Sequence, residues 1–394
     1  MQTTLQSISL AANLICSNCK LSYDIHQLHT FSPCCTKPFL VEYDLSSPPK
    51  KEDLKNRRQD MWRYQEFLPV FEPENIVTLG EGYTPTRFFE NFENVDLYLK
   101  DESYNPSGSF KARGIGMAVS KAKEFGIKHC IVPTAGNAGG ALAVFCAKAG
   151  IKATVVMPSH TPAIFIQECE LHGAEVILID GLISDCGKKV AEIKHETGAF
   201  DISTLKEPYR IEGKKTMGYE IAEQFNWQLP DVILYPTGGG TGLIGIWKAF
   251  KEMQQMGWVG EKLPRMVAVQ SAACQPVVKA YASFIGQKNE YGLPAASVAN
   301  GLAVPFPFGM DLMLNVLKES NGTAVALSEE DIISTTKKAA QEKGVLLAPE
   351  GAAVWKAAQD LIQSGWITAS EKVLFLNTGT GYKYLDNIIP RNDN

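Results

Sequence analysis

From residue 95 onward, short apolar runs alternate with stretches whose apolar residues recur at helical spacing. Residues 95–100 predict a strand, 115–125 a helix closed by Gly126, and 129–133 a second strand. A helix over 139–149 carries Leu142, Phe145, Cys146 and Ala149 on one face and stops at Gly150. Strands follow at 152–157 and 175–179, and the helix between them passes through Ile166 and Cys169 to end at His172-Gly173. The pattern resumes with a strand at 231–235, a helix over 243–256, and strands at 265–269 and 372–376. Ser328 with Asp331 marks a further helix start. This order predicts an α/β chain whose mostly parallel sheets are covered by helices on both faces.

The first 45 residues break the pattern. They carry Cys16 and Cys19 as Cys-x-x-Cys, then Cys34 and Cys35 side by side, with His26 and His29 between. The first gap is that of a zinc knuckle. The adjacent second pair is awkward for two ligands on one ion. Either the segment binds metal, with a histidine replacing one cysteine where needed, or it is a ribbon-like appendage without metal. Residues 46–51, Ser-Ser-Pro-Pro-Lys-Lys, read as a linker. Residues 1–14 lack the charged start and long apolar stretch of an export signal, so the nine cysteines are expected reduced and the protein cytoplasmic. Cys130, Cys146, Cys169, Cys186 and Cys274 read as small core fillers. The chain of 394 residues is 45% hydrophobic and 21% charged, ordinary for a globular protein. A net charge of −5 with mixed signs offers no basic field for nucleic acid or anionic membrane, and no apolar run is long enough to span a bilayer.

Lys111 sits in Asn105-Pro106-Ser107-Gly108-Ser109-Phe110-Lys111-Ala112-Arg113-Gly114, a tight turn feeding a helix. A lysine there is badly placed for an ordinary surface charge, and its amine can form a Schiff base with a carbonyl cofactor. Pro236-Thr237-Gly238-Gly239-Gly240-Thr241-Gly242 follows a strand and opens a helix. Gly238, Gly239, Gly240, Thr241 and Gly242 bring several amides to one point at a helix N-terminus, where an anion is favoured. The loop lacks the ending of a P-loop and the spacing of a dinucleotide fingerprint. So much glycine destabilises a turn unless something approaches the backbone closely, which favours phosphate binding over an empty turn. Thr134-Ala135-Gly136-Asn137-Ala138-Gly139-Gly140 is a second such loop. Amides of Thr134, Ala135 and Gly136 suit a carboxylate. Asn137 is either a donor to a phenolate-like oxygen or a plain helix cap. Thr378, in Asn377-Thr378-Gly379-Thr380-Gly381, can face a ring nitrogen or simply mark a turn. Together the pieces ask for a ligand with a phosphate, an aldehyde, a phenolic oxygen and a ring nitrogen. Pyridoxal phosphate has all four.

These motifs occur in the order seen in the fold type II pyridoxal-phosphate enzymes, the tryptophan synthase β-like family, which the chain resembles over about residues 76–390. Within that family Gly80-Glu81-Gly82-Tyr83-Thr84-Pro85 resembles a motif of the threonine synthases, and Cys16/Cys19 with Cys34/Cys35 resembles the cysteine-bearing head of some members. Ala112 and Thr380 depart from that group, which often has Asp and His there. The resemblance implies two three-layer α/β/α domains with the cofactor between them. The expected divisions are 1–50 for the extension, 51–105 with 216–394 for the large domain, and 106–215 for a small mobile one. It implies that Lys111 carries the cofactor and then serves as the base at Cα. Asn137 would bind O3′, Thr378 the ring nitrogen, and the tetraglycine loop the cofactor phosphate. The implied reaction turns O-phosphohomoserine and water into threonine and phosphate, in a homodimer. Threonine or serine dehydration, β-replacement on O-phosphoserine as in cysteate synthase, and a binding protein that has lost catalysis stay open. Lys152, Lys214, Lys215 and Arg113 are the candidate cations for the substrate phosphate, against the plainer reading of solvated charges.

Overall fold

The computed structural model describes residues 8–287 and 292–389. The opening residues of the 1–14 stretch read above as carrying no export signal lie outside them. Thirteen strands are present among the described residues. In chain order they are β1 (Ala11–Cys16), β2 (Ser22–Asp24), β3 (Phe39–Tyr43), β4 (Thr86–Phe92), β5 (Val95–Asp101), β6 (His129–Pro133), β7 (Lys152–Pro158), β8 (Glu175–Ile179), β9 (Phe200–Asp201), β10 (Val232–Pro236), β11 (Arg265–Ser271), β12 (Thr323–Leu327) and β13 (Lys372–Asn377). They form three sheets, ordered β2-β1-β3, β12-β11-β10-β13-β5-β4 and β8-β7-β6-β9. The head sheet is antiparallel. The six-stranded sheet is parallel except for its edge strand β4, and the four-stranded sheet is wholly parallel.

Parallel strands covered on both faces explain the unbroken apolar runs. In β10, Ile233 and Tyr235 enter one core while Val232 and Leu234 enter another. The same alternation divides β13, with Leu374 and Leu376 on one side and Val373 and Phe375 on the other. The strands predicted at 129–133 and 175–179 are found with those bounds, and Ser328 caps its helix by accepting from the Asp331 amide. Cys130, Cys146, Cys169, Cys186 and Cys274 are buried, as core fillers should be.

One major element has no counterpart in the apolar pattern. The helix Tyr209–Gln224 is buried along almost its whole length, yet carries Arg210, Glu212, Lys214, Lys215 and Glu220 inside. Ion pairs hold Glu212, Lys215 and Glu220 in the core while Arg210 and Lys214 donate to backbone carbonyls, and these inward charges erase the stripe by which such a helix would be read. The expected division between residues 215 and 216 falls within this helix. No helix among the described residues is long and apolar enough to cross a membrane.

Candidate active site

Lys111 opens the helix Lys111–Glu124, after a turn in which Ser107 takes φ 61° and Gly108 φ 63°. That turn is pinned to the loop after β13. The Phe110 amide donates to the Thr378 carbonyl (3.0 Å) and the Thr380 amide to the Gly108 carbonyl (2.8 Å). Thr378 is nearly buried, and with its carbonyl taken by Phe110 it has its hydroxyl left to offer.

Asn137 begins the helix Asn137–Ala149 after β6. Its Nδ2 donates to the Tyr384 hydroxyl (3.2 Å), and its Oδ1 accepts from Lys383 Nζ (3.2 Å). Lys383 also donates to the Ser107 carbonyl (2.8 Å) and pairs with Glu168 (2.6 Å). The Tyr384 hydroxyl reaches Asn300 Oδ1 (3.1 Å) and Glu350 Oε1 (3.0 Å). Glu350 in turn accepts the Gly301 amide (2.9 Å). The Gly301 carbonyl stands 2.2 Å from where a Cβ on Gly238 would lie. An unbroken chain of contacts therefore joins the Lys111 turn, the Asn137 loop, the Thr378 loop and the tetraglycine loop. Tyr384, Glu350, Asn300 and Lys383 link them, and no motif in the sequence marked those four.

The tetraglycine loop corrects one step of the sequence argument. Gly240 takes φ 79°, and Met313 Sδ occupies the place of its missing Cβ at 2.1 Å. Protein packing alone thus requires glycine at 238 and 240. What packing leaves open is the amides. Among the described residues, the N–H groups of Gly238, Gly239 and Gly240 meet no backbone acceptor. They stand at the start of the 15-residue helix Thr241–Gln255. An anion with several oxygens suits that arrangement. The Thr134 loop is also narrower than expected, because the Thr134 amide donates to the Val156 carbonyl (3.0 Å) and the Gly136 amide to Thr134 Oγ1 (3.2 Å).

Burial, with the Arg210 guanidinium nearby, pulls the Lys111 ammonium down to about 7, against a weaker opposing pull from Glu350. Burial raises Glu350 in turn. Lys214 Nζ donates to the Phe110 carbonyl (2.7 Å) and lies 3.6 Å from the Phe110 ring centre. Its pKa falls far below the lysine range, through burial and then the positive charge of Lys111. The buried hydroxyls of Ser107 and Ser109 have no protein partner, and neither has Nε of Arg210.

Of the candidate cations, Arg113 is held elsewhere. It donates to Glu102 (2.6 Å and 2.7 Å) and Glu220 (2.7 Å), fully buried. Lys215 pairs with Glu212 (2.8 Å) and Glu252 (2.9 Å). Lys152 is an exposed partner of Glu175 at the amino end of β7, opposite the site. Lys214 lies beside Lys111, and Arg210 joins it as a cation the sequence did not mark. The Glu81 motif is structural. Its carboxylate accepts from Trp62 Nε1 (3.0 Å) and the Leu79 amide (2.8 Å), while Gly82 donates to Asn105 Oδ1 (2.9 Å) behind the Lys111 turn.

A depressed lysine, unpartnered hydroxyls and open amides at a helix start fit pyridoxal phosphate. The comparisons agree. The family described as "Pyridoxal-phosphate dependent enzyme" matches residues 77–379. A protein named threonine synthase from Methanocaldococcus jannaschii is 31% identical over 93% of this chain and 92% of its own length. Another from Methanosarcina acetivorans is 32% identical over 93% and 91%. Among solved structures, maize serine racemase superposes with a TM-score of 0.65 at 22% identity, covering 77% of this chain and 93% of that one. A processed threonine deaminase isoform from Solanum lycopersicum gives 0.64 at 20%, covering 87% and 94%. These two likenesses show the fold. The chain belongs to the fold type II pyridoxal-phosphate-dependent enzymes, and pyridoxal phosphate is its cofactor.

Proposed function

We propose that this protein converts O-phosphohomoserine and water to threonine and phosphate. Relatives named threonine synthase span nine-tenths of the chain and support the choice of substrate. The observation that carries the chemistry is the Lys111 amine, lowered to about 7 with no carboxylate hydrogen-bonded to it.

Bound pyridoxal phosphate draws electrons away from the substrate Cα. The amides of Gly238, Gly239 and Gly240 and those that open the helix at Thr241 and Gly242 hold its phosphate. Asn137 would hold its phenolic oxygen and the Thr378 hydroxyl its ring nitrogen. A neutral hydroxyl leaves that nitrogen unprotonated more readily than a carboxylate would. With the cofactor bound, the Lys111 amine would take the proton from the substrate Cα. An amine lowered to about 7 has a substantial neutral fraction at physiological pH, so it can accept that proton and later return one. The Ala135 amide and the Thr134 hydroxyl hold the substrate carboxylate. Arg210, with Nε unpartnered, holds the departing phosphate. The part of the chain within 106–215 that carries the four-stranded sheet closes over the substrate.

The test is product analysis. Purified protein given O-phosphohomoserine should release phosphate and threonine in equal amounts. Conversion of threonine to 2-oxobutyrate, with no phosphate release from O-phosphohomoserine, would make it a dehydratase instead.

A further inference from the structure

The head brings four thiols to one point. Cys16 ends β1, Cys19 lies in the turn after it, and Cys34 and Cys35 lie in a second turn before β3. Their sulfurs all lie within 4.8 Å of one another, and those of Cys19 and Cys34 are 3.3 Å apart. A tetrahedral ion bonded to sulfur at about 2.3 Å spaces its ligands about 3.8 Å apart. The cluster needs only small adjustments to reach that geometry.

The two turns are built alike, which resolves the awkward spacing of the second pair. In the first, the Lys20 amide donates to the Cys16 carbonyl (3.1 Å), and Lys20 takes φ 65°. In the second, the Thr36 amide donates to the Ser32 carbonyl (2.8 Å), and Thr36 takes φ 51°. Matching these bonds pairs Cys19 with Cys35 and Cys16 with Ser32. Ser32 therefore holds the place where a second Cys-x-x-Cys would have its first thiol. It is fully buried, and Cys16 Sγ lies 3.2 Å from its Oγ. Cys34, immediately before Cys35, supplies the sulfur that Ser32 does not. Asn18 Nδ2 donates to Cys35 Sγ (3.4 Å), the kind of outer contact that orients a metal-bound thiolate.

The head has reason to need such a staple. Its own core is Ala11, Leu14, Ile25, Phe39, Val41 and Tyr43, with a few half-buried neighbours. A unit below about 40 residues usually depends on a metal, a disulfide or a partner surface. The second turn leans on the body through the Lys37–Asp311 pair (2.6 Å) and the Phe31–Phe308 contact (6.3 Å between ring centres). An exposed pair of that kind contributes little.

We propose that Cys16, Cys19, Cys34 and Cys35 bind one structural zinc ion. Four thiolates without an oxygen ligand or an open position favour zinc over calcium or magnesium, and mark the ion as structural. The site lies outside the cofactor motifs, so its test is independent of the proposed reaction.

The experiment is metal analysis of the full-length protein after dialysis against metal-free buffer. The expected content is about one zinc per chain, as one closed four-thiolate site holds. Cys16→Ser and Cys34→Ser should each lose the zinc while keeping the visible cofactor band, which shows that the body remains folded. Cys146→Ser, in the buried core, should keep it. The double variant Ser32→Cys with Cys34→Ser moves the fourth sulfur to the first position of its turn and should restore binding. A zinc-free wild type that retains the cofactor band would overturn the proposal. So would iron in place of zinc, or a Cys19–Cys34 disulfide found by mass spectrometry in freshly isolated protein.

Discussion

Two basic clusters, one fully buried and one centred on the half-buried Lys111, share the same pair of helices, Lys111–Glu124 and Tyr209–Gln224, and handle their charge in opposite ways. Arg113 is surrounded by carboxylates, donating to Glu102 and Glu220, with Thr216 and Thr84 filling its other directions. Lys100 joins the cluster through Glu220 (3.0 Å). Burial would raise Glu220, but Arg113 and then Lys100 outweigh it and hold the carboxyl at about 2. Two residues before Arg113, Lys111 has cationic neighbours instead, Arg210 and Lys214, and its amine falls to about 7. The first cluster satisfies its charges and so holds the fold. The second leaves donors unsatisfied at a place where a reactive amine is needed. Buried charge by itself does not mark a site; buried charge without a partner does.

The comparison breaks most sharply at Lys111. Lys111→Ala should abolish the visible cofactor band and lower turnover at least about 10³-fold, the scale of losing a nucleophile and base together. Its unfolding midpoint should stay near that of the wild type stripped of cofactor, because no carboxylate loses a hydrogen-bonded partner. Arg113→Met should do the reverse. It strands Glu102, leaves Glu220 with Lys100 as its remaining ion-pair partner, and should cost about 3–5 kcal/mol in urea unfolding, while the folded fraction still binds cofactor.

Arg210→Met sharpens the contrast by removing one of the cations beside Lys111. Without that positive charge the protonated amine is less disfavoured, so the Lys111 pKa must rise. Cofactor loading of the stripped wild type should speed up as pH rises through about 7, where the amine becomes neutral. In Arg210→Met the midpoint of that profile should move to higher pH, and KM for the phosphorylated substrate should rise about tenfold or more. A shift to lower pH would remove Arg210 from the site. The smallest effect belongs to Thr378→Val, which removes one neutral hydroxyl and should lower turnover by no more than about tenfold.

Much of this site could be read from the chain because it is built of loops at the carboxyl ends of strands. Gly238–Gly242 and Thr134–Gly140 each follow a short apolar run, and both strands are where those runs put them. The links between the loops could not be read. Tyr384 comes from a short turn after β13, Glu350 from the first turn of the helix Pro349–Gln363, and Asn300 from a short helical turn. Only folding brings them together. The helix Tyr209–Gln224 escaped for a different reason, since Glu212, Lys215 and Glu220 point inward and meet Lys248, Glu252 and Arg113, far away in sequence. Arg210 escaped with it. The glycines at 238 and 240 were read correctly as points of close approach, but the approaching atoms belong to Gly301 and Met313.

Lys111 and Lys214 both lie against the Phe110 ring, whose centre is 4.6 Å from one amine and 3.6 Å from the other. Borohydride reduction of the cofactor-loaded protein, followed by peptide mapping, reads which of them bears the cofactor. A Schiff-base role for Lys111 requires the label on Lys111 alone. A label on Lys214, or none on either lysine in protein that shows the visible band, would contradict it.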